Sequence, residues 1–126
     1  MAIIGVLTSF AIPAYQSYSI RAQIAEGLGM TGPLTLAVAA YQNDHGSYPI
    51  DNAEAALPLP SEYAGRFVDA IAISGNVISI RYGNEANTLI HGREVNFTAT
   101  RTEGSVGWTC SSGGQISRSY LPPSCR

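Results

Sequence analysis

Lysine is absent from this chain: all seven basic residues are arginines. Without a side-chain amine there is no Schiff-base nucleophile, no P-loop lysine and no biotin-type attachment point. Charge of either sign is sparse, at 13% of residues with a formal net charge of −2, so no bulk field draws the chain to nucleic acid or acidic lipid. Cysteine and histidine number two each, and His45 and His91 lie far in sequence from Cys110 and Cys125, so no ordinary zinc-ligand spacing exists. The cysteines are also too far apart for a Cys-x-x-Cys redox pair. Their bland reading is a structural disulfide, which implies a periplasmic or extracellular compartment. No Gly-x-Ser-x-Gly elbow is present to arm a Ser-His-Asp set. The run Ser111-Ser112-Gly113-Gly114 lacks the Gly-Lys-Ser/Thr ending of a phosphate cradle and reads as a loop tip inside the disulfide. The sequence therefore points away from an enzyme, with no catalytic residue, no metal ligand and no cofactor assigned.

What is present fits one domain, since 126 residues of which 45% are hydrophobic suffice for one modest core. The strong shift in composition lies at the start. Met1 to Tyr15 carry Ala2, Ile3, Ile4, Val6, Leu7, Phe10, Ala11 and Ile12 and no charge. As written this run is shorter than the ~20 residues that span a bilayer. It also lacks the basic start and small-residue cleavage site of a signal peptide. It reads as the remaining part of a longer apolar helix behind a start Met1. Gly5 to Pro13 is its weakest stretch, because Gly5 is unrestrained and Pro13 cannot donate to the carbonyl of Ser9.

From Tyr15 to about Asp44 the pattern is helical. Ile20, Ile24 and Leu28 recur every four residues, and Leu34, Ala37, Val38 and Tyr41 continue at three- and four-residue steps, with Arg21, Gln23 and Glu26 between them. Gly27, Gly29, Gly32 and Pro33 predict a kink or interruption midway. Gly46 supplies a stop, with His45 as a cap near the negative helix end rather than a catalytic base. Residues 49 to 66, with Pro49, Pro58 and Pro60, predict a connecting loop that holds one or two helical turns over Asp51 to Ala56. Phe67 to Ile73 and Val77 to Tyr82, joined by Ser74, Gly75 and Asn76, predict a hairpin. Glu94 to Thr100 places Val95, Phe97 and Ala99 on one face, and after a turn at Glu103 to Ser105 a fourth strand places Val106, Trp108 and Cys110 inward. The fold class is α+β: a long N-terminal helix packed on a four-stranded antiparallel sheet, closed by a disulfide-bounded loop. Two further patterns carry little. Asn96-Phe97-Thr98 is a glycosylation triplet inside a strand, and Tyr15, Tyr18, Tyr41 and Tyr48 read as amphipathic edge tyrosines rather than a base-stacking surface.

At residue level, Ala2-Ile3-Ile4-Gly5-Val6-Leu7, then Ala11-Ile12-Pro13-Ala14-Tyr15-Gln16, then Tyr18, Arg21, Ala22 and Gln23, resemble the helix of type IVa pilins just past its conserved beginning. A second match stands at the other end. Gly107-Trp108-Thr109-Cys110 and Tyr120-Leu121-Pro122-Pro123-Ser124-Cys125-Arg126 are similar to the closing strand and disulfide-bounded region of that family, while residues 49 to 105 resemble it in pattern only. The resemblance implies a ladle-shaped subunit with two parts: an apolar half-helix over residues 1–16 and a globular head over 17–126. It implies polymerisation by a Gram-negative bacterium, with Ala2, Ile3, Ile4, Gly5, Val6, Leu7, Phe10, Ile12, Pro13 and Tyr15 in the filament core and Gly5 to Pro13 melted there. The partners implied are copies of itself, the inner membrane before assembly, the pilus assembly machinery, and a host surface or DNA. The leader, the processed N-terminal residue and the acidic residue that registers neighbouring subunits belong before Ala2 in this scheme. Adhesion, twitching motility or DNA uptake from an extracellular pilus is the implied role, and Arg118, Tyr120 and Arg126 are the candidate recognition residues. Two alternatives stand beside it. A minor pilin acting as DNA receptor would draw on Arg93, Arg101, Arg118 and Arg126, whereas a secretion-system pseudopilin usually lacks the C-terminal disulfide region.

Overall fold

The apolar three- and four-residue spacing produces two helices in succession, α1 (Ala2–Gly29) and α2 (Gly32–His45). The computed structural model describes residues 2–126, with side chains described from Tyr15 onward. The expected interruption falls at Met30 and Thr31. There the chain tightens: the Met30 N–H donates to the Gly27 carbonyl at 3.1 Å, and both the N–H and the Oγ1 of Thr31 donate to the Leu28 carbonyl. Pro33 occupies the first turn of α2, where its missing N–H costs no intrahelical bond. The helix ends at Gly46, whose φ of 75° suits glycine and whose N–H returns to Gln42 O at 2.8 Å. His45 sits in that last turn with Nδ1 3.1 Å from Tyr41 O, its ring stacked on Tyr41.

Four strands follow, β1 (Val68–Ser74), β2 (Val77–Tyr82), β3 (Glu94–Thr102) and β4 (Ser105–Ser111), paired antiparallel in chain order. The β1–β2 turn narrows to Gly75 and Asn76, with Gly75 at φ 63° in the first central position. The Glu103–Ser105 turn expected between β3 and β4 also narrows to two residues. Glu103 and Gly104 both adopt positive φ, the I′ pattern, which lets Thr102 pair with Ser105 and lengthens β3 past Thr100. Val68 and Ile71 both point inward although three residues apart, because a bulge at Asp69 shifts the register of β1.

The core lies between the helices and one sheet face. Ile20, Ile24, Leu34 and Val38 meet Ile71, Ile73, Ile78, Ile80, Tyr82 and Val95, all buried. Gln23 corrects the helix reading: it is buried rather than a polar flank. Its Oε1 accepts from the Asn87 N–H at 2.8 Å and so ties residues 83–93, a segment with no periodic signal, to α1. Between Asp51 and Ala56 the chain makes hydrogen-bonded turns rather than a helix, and a 3-10 turn follows at Pro60–Tyr63.

Gly27 weakens α1 as a helix former but is required by packing. The Tyr82 hydroxyl crosses from β2 to donate to the Ile24 carbonyl at 2.7 Å, and a Cβ on Gly27 would lie 2.7 Å from that oxygen and 2.8 Å from ring Cε1. Tyr82 is fully enclosed and cannot swing aside. Gly27→Ala is therefore expected to destabilise by about 1–3 kcal/mol through overpacking, outweighing the ~1 kcal/mol that alanine gains in helix propensity. Urea unfolding of the two proteins checks the sign, and a stabilised alanine variant would refute the packing argument.

Burial also pushes the Tyr82 phenol well above the usual tyrosine range. A raised folded-state value favours the neutral form, so the stabilisation is complete below the unfolded value of about 10 and is lost as pH rises through the folded value. Stability is expected to fall above about pH 10, with one tyrosinate appearing only as the chain unfolds. Alkaline absorbance titration checks this, and Tyr82→Phe removes that component.

Candidate functional site

The C-terminal segment supplies the most feature-rich surface. β4 delivers Cys110 to the core edge, where it bonds to Cys125. Between them the chain is anchored from inside by buried Ile116 and Leu121, and Ser112 Oγ donates to the Ile116 carbonyl while accepting from its N–H. Gln115 fastens the other side, its carbonyl accepting from Arg93 Nη1 at 3.0 Å and its Oε1 from the Glu94 N–H at 3.1 Å.

The loop docks on α1 through arginine. Arg21 Nε donates to the Ser119 carbonyl at 2.8 Å, and Arg126 Nε donates to both the Leu121 carbonyl at 2.9 Å and the Arg118 carbonyl at 3.1 Å. Two adjoining hollows result. One, of about 310 Å³, is walled by Ala25, Tyr120, Leu121, Pro122 and Pro123 with Arg21 and Arg126 at its rim. The other, of about 470 Å³, is lined by Arg21, Arg118, Ser119 and Arg126. Among the described residues none of these three guanidinium groups has a carboxylate partner, in contrast to the Arg66–Glu85 and Arg81–Asp69 pairs.

Arg118 and Tyr120 line different hollows, and Arg126 lines both. Arg93 and Arg101 line neither hollow. Arg93 is engaged with Gln115, and Arg101 donates to the buried Gln42 on α2 at 3.0 Å. Arg21 takes their place. It belongs to a helix face remote in sequence, and no local signal marks it. His45 is stacked on Tyr41, and among the described residues no group of His, Cys, Asp and Glu is placed to hold a metal. The Ser111 to Gly114 tip is a turn with Gly113 and Gly114 at positive φ, and the Asn96 triplet lies in β3.

Along α1 on the N-terminal side of Arg21, Tyr15 is 72% and Tyr18 74% exposed, whereas Ile20 is fully buried. The side chains of Ala2, Ile3, Ile4, Gly5, Val6, Leu7, Phe10, Ile12 and Pro13 lie outside the described residues, although α1 itself is continuous from Ala2. No helix among the described residues is long and apolar enough to cross a membrane.

Residues 20–126 match the family model for pilin, a bacterial filament protein. Over its full length the chain is 30% identical to a type IV major pilin protein PilE of Neisseria gonorrhoeae, covering 87% of that protein. It is 33% identical to the fimbrial protein EcpC of Eikenella corrodens, covering 83% of it, and 29% identical to a fimbrial protein of Neisseria meningitidis serogroup B, covering 87%. A family match over residues 20–126 and relatives of 30% identity or more covered over four-fifths of their length show that the chain belongs to the type IV pilins.

Proposed function

We propose that this chain is a structural, non-enzymatic subunit that polymerises through its apolar N-terminal helix into an extracellular pilus and is held by the same helix in the inner membrane before assembly. The supporting observation is the switch in exposure at Ile20: the helix leaves its own head while the sequence upstream stays uncharged and apolar. Such a segment gains by burial in lipid or against copies of itself, and repeated heterologous contacts give an open filament rather than a closed ring. Residues 1–16 then act as the assembly half-helix and 17–126 as the head, with Gly5 to Pro13 as its weakest stretch in the filament. Adhesion, twitching motility or DNA uptake are the roles that follow, exercised with the pilus machinery and a host surface or DNA.

Detergent removal from the purified full chain tests the assembly step. The parent is expected to form sedimentable filaments, and a Val6→Asp/Phe10→Asp variant with the same head is expected to remain dispersed. A Val6→Asp/Phe10→Asp variant that assembles as the parent does would refute assembly through this helix. The DNA-receptor reading has narrower support, the unpaired arginines of the groove, and three cations imply a shallow salt slope. Loss of duplex binding in Arg118→Ala/Arg126→Ala at two salt concentrations is the test of that reading.

A further inference from the structure

The surface hollow between α1 and the disulfide-bounded loop gathers three exposed arginines that, among the described residues, have no carboxylate in ion-pair contact. Arg21, Arg118 and Arg126 line one hollow, and the Nε groups of Arg21 and Arg126 are fixed on backbone carbonyls. That orients both guanidinium planes. Their terminal nitrogens have no carboxylate among the described residues, although Arg66 and Arg81 each hold one. Three like charges drawn together repel, and an entering oxyanion relieves that repulsion through charge-assisted, fork-shaped hydrogen bonds.

We propose that this groove binds the phosphate of an anionic lipid headgroup while the subunit is held at the membrane by its apolar helix, an inference that rests on the membrane-anchored reading above. Depth argues for it. Tyr15 and Tyr18 are exposed where α1 leaves the head, the position at which amphipathic tyrosines mark a membrane–water boundary. Arg21 lies roughly 9 Å farther along the helix than Tyr15, at 1.5 Å per residue. A single headgroup layer is about 5–8 Å thick, so tyrosines at the boundary set the guanidinium groups at or just above the phosphates. Duplex DNA asks for a row of cations, and Arg93 and Arg101, the arginines considered for extending one, line neither hollow.

The test is flotation of the full chain with vesicles of phosphatidylcholine alone or with added phosphatidylglycerol, at low and high salt. The parent is expected to bind both and to favour the phosphatidylglycerol vesicles by on the order of tenfold or more at low salt, a preference that salt weakens. Arg21→Gln/Arg118→Gln/Arg126→Gln should lose that preference. An equal-charge control, Arg66→Gln/Arg81→Gln/Arg101→Gln, should keep it. Should the triple variant fail to form its disulfide, Arg118→Gln serves, since among the described residues the Arg118 side chain bonds no other group, and it should reduce the preference severalfold. Equal binding of the parent to both vesicles would overturn the lipid site while leaving the membrane anchor standing. Failure to float with either would remove the anchor and the site together. Inorganic phosphate or a short duplex competing as well as dispersed phosphatidylglycerol would overturn a lipid as the occupant.

Discussion

Replacing Asn52 by leucine is expected to cost about 3 kcal/mol of stability, although the residue lies in a polar loop between proline-marked turns. Its side chain is 1% exposed and fully used: Nδ2 donates to the Pro58 carbonyl at 2.9 Å and the Ile71 carbonyl at 3.0 Å, and Oδ1 accepts from the Ile73 N–H at 2.7 Å. The amide thus stands in for a missing neighbour strand beside β1, the edge of the sheet, and holds the connecting loop against it. Leucine removes the partner of one donor, the Ile73 N–H, and of two acceptors, the Pro58 and Ile71 carbonyls, at roughly 1–3 kcal/mol for each group left buried and unpaired. Aspartate keeps the acceptor but places an anion against two carbonyl oxygens, so it should cost at least as much at neutral pH. Its folded-state acidity is then weakened by burial, and stability lost near neutrality should return as pH falls toward the unfolded carboxylate value of about 4. Denaturant unfolding of both variants across pH measures this. A leucine variant within ~0.5 kcal/mol of the parent, the range of a surface substitution, would show that the loop does not depend on the amide.

Removing the disulfide as Cys110→Ser/Cys125→Ser should cost about 3 kcal/mol on the chain-entropy account, for a separation of 15 residues. The effect should also be local. Both cysteines are nearly buried, and the loop they close carries Ile116, Leu121 and the arginine groove, whereas β1 to β3 pair independently of it. Hydrogen exchange is expected to lose protection over Ile116 to Cys125 and to keep it across Ile78, Ile80 and Val95. Undiminished protection in the loop, with unchanged stability, would contradict that assignment.

The parts of the fold that announce themselves in sequence are those set by local periodicity. Alternating apolar residues over 77–82 and 94–100 and the four-residue steps from Ile20 need only their own neighbours to declare strand or helix, and Pro33 with its flanking glycines declares the break. What stayed hidden depends on partners distant in the chain. Asn52 and Gln23 look like solvent-facing polar residues until the edge of β1 and the 83–93 segment arrive to bond them. Gly27 reads as a weak helix position until Tyr82 crosses from β2 onto it. The candidate site divides in the same way. Arg118, Tyr120 and Arg126 lie together in sequence, but Arg21 joins them only through the tertiary contact of α1 with the loop, where its Nε bonds the Ser119 carbonyl, and Arg101 bonds Gln42 on α2.

α1 upstream of Ile20 is proposed as the assembly element, with the head carried on it. A reconstruction of filaments formed by the full chain tests this most directly. Residues 2–15 are expected at the filament axis, packed against the same segment of neighbouring subunits, with the sheet and the Cys110–Cys125 loop displayed outward. A filament held together through head-to-head sheet contacts, with residues 2–15 outside the core, would contradict it.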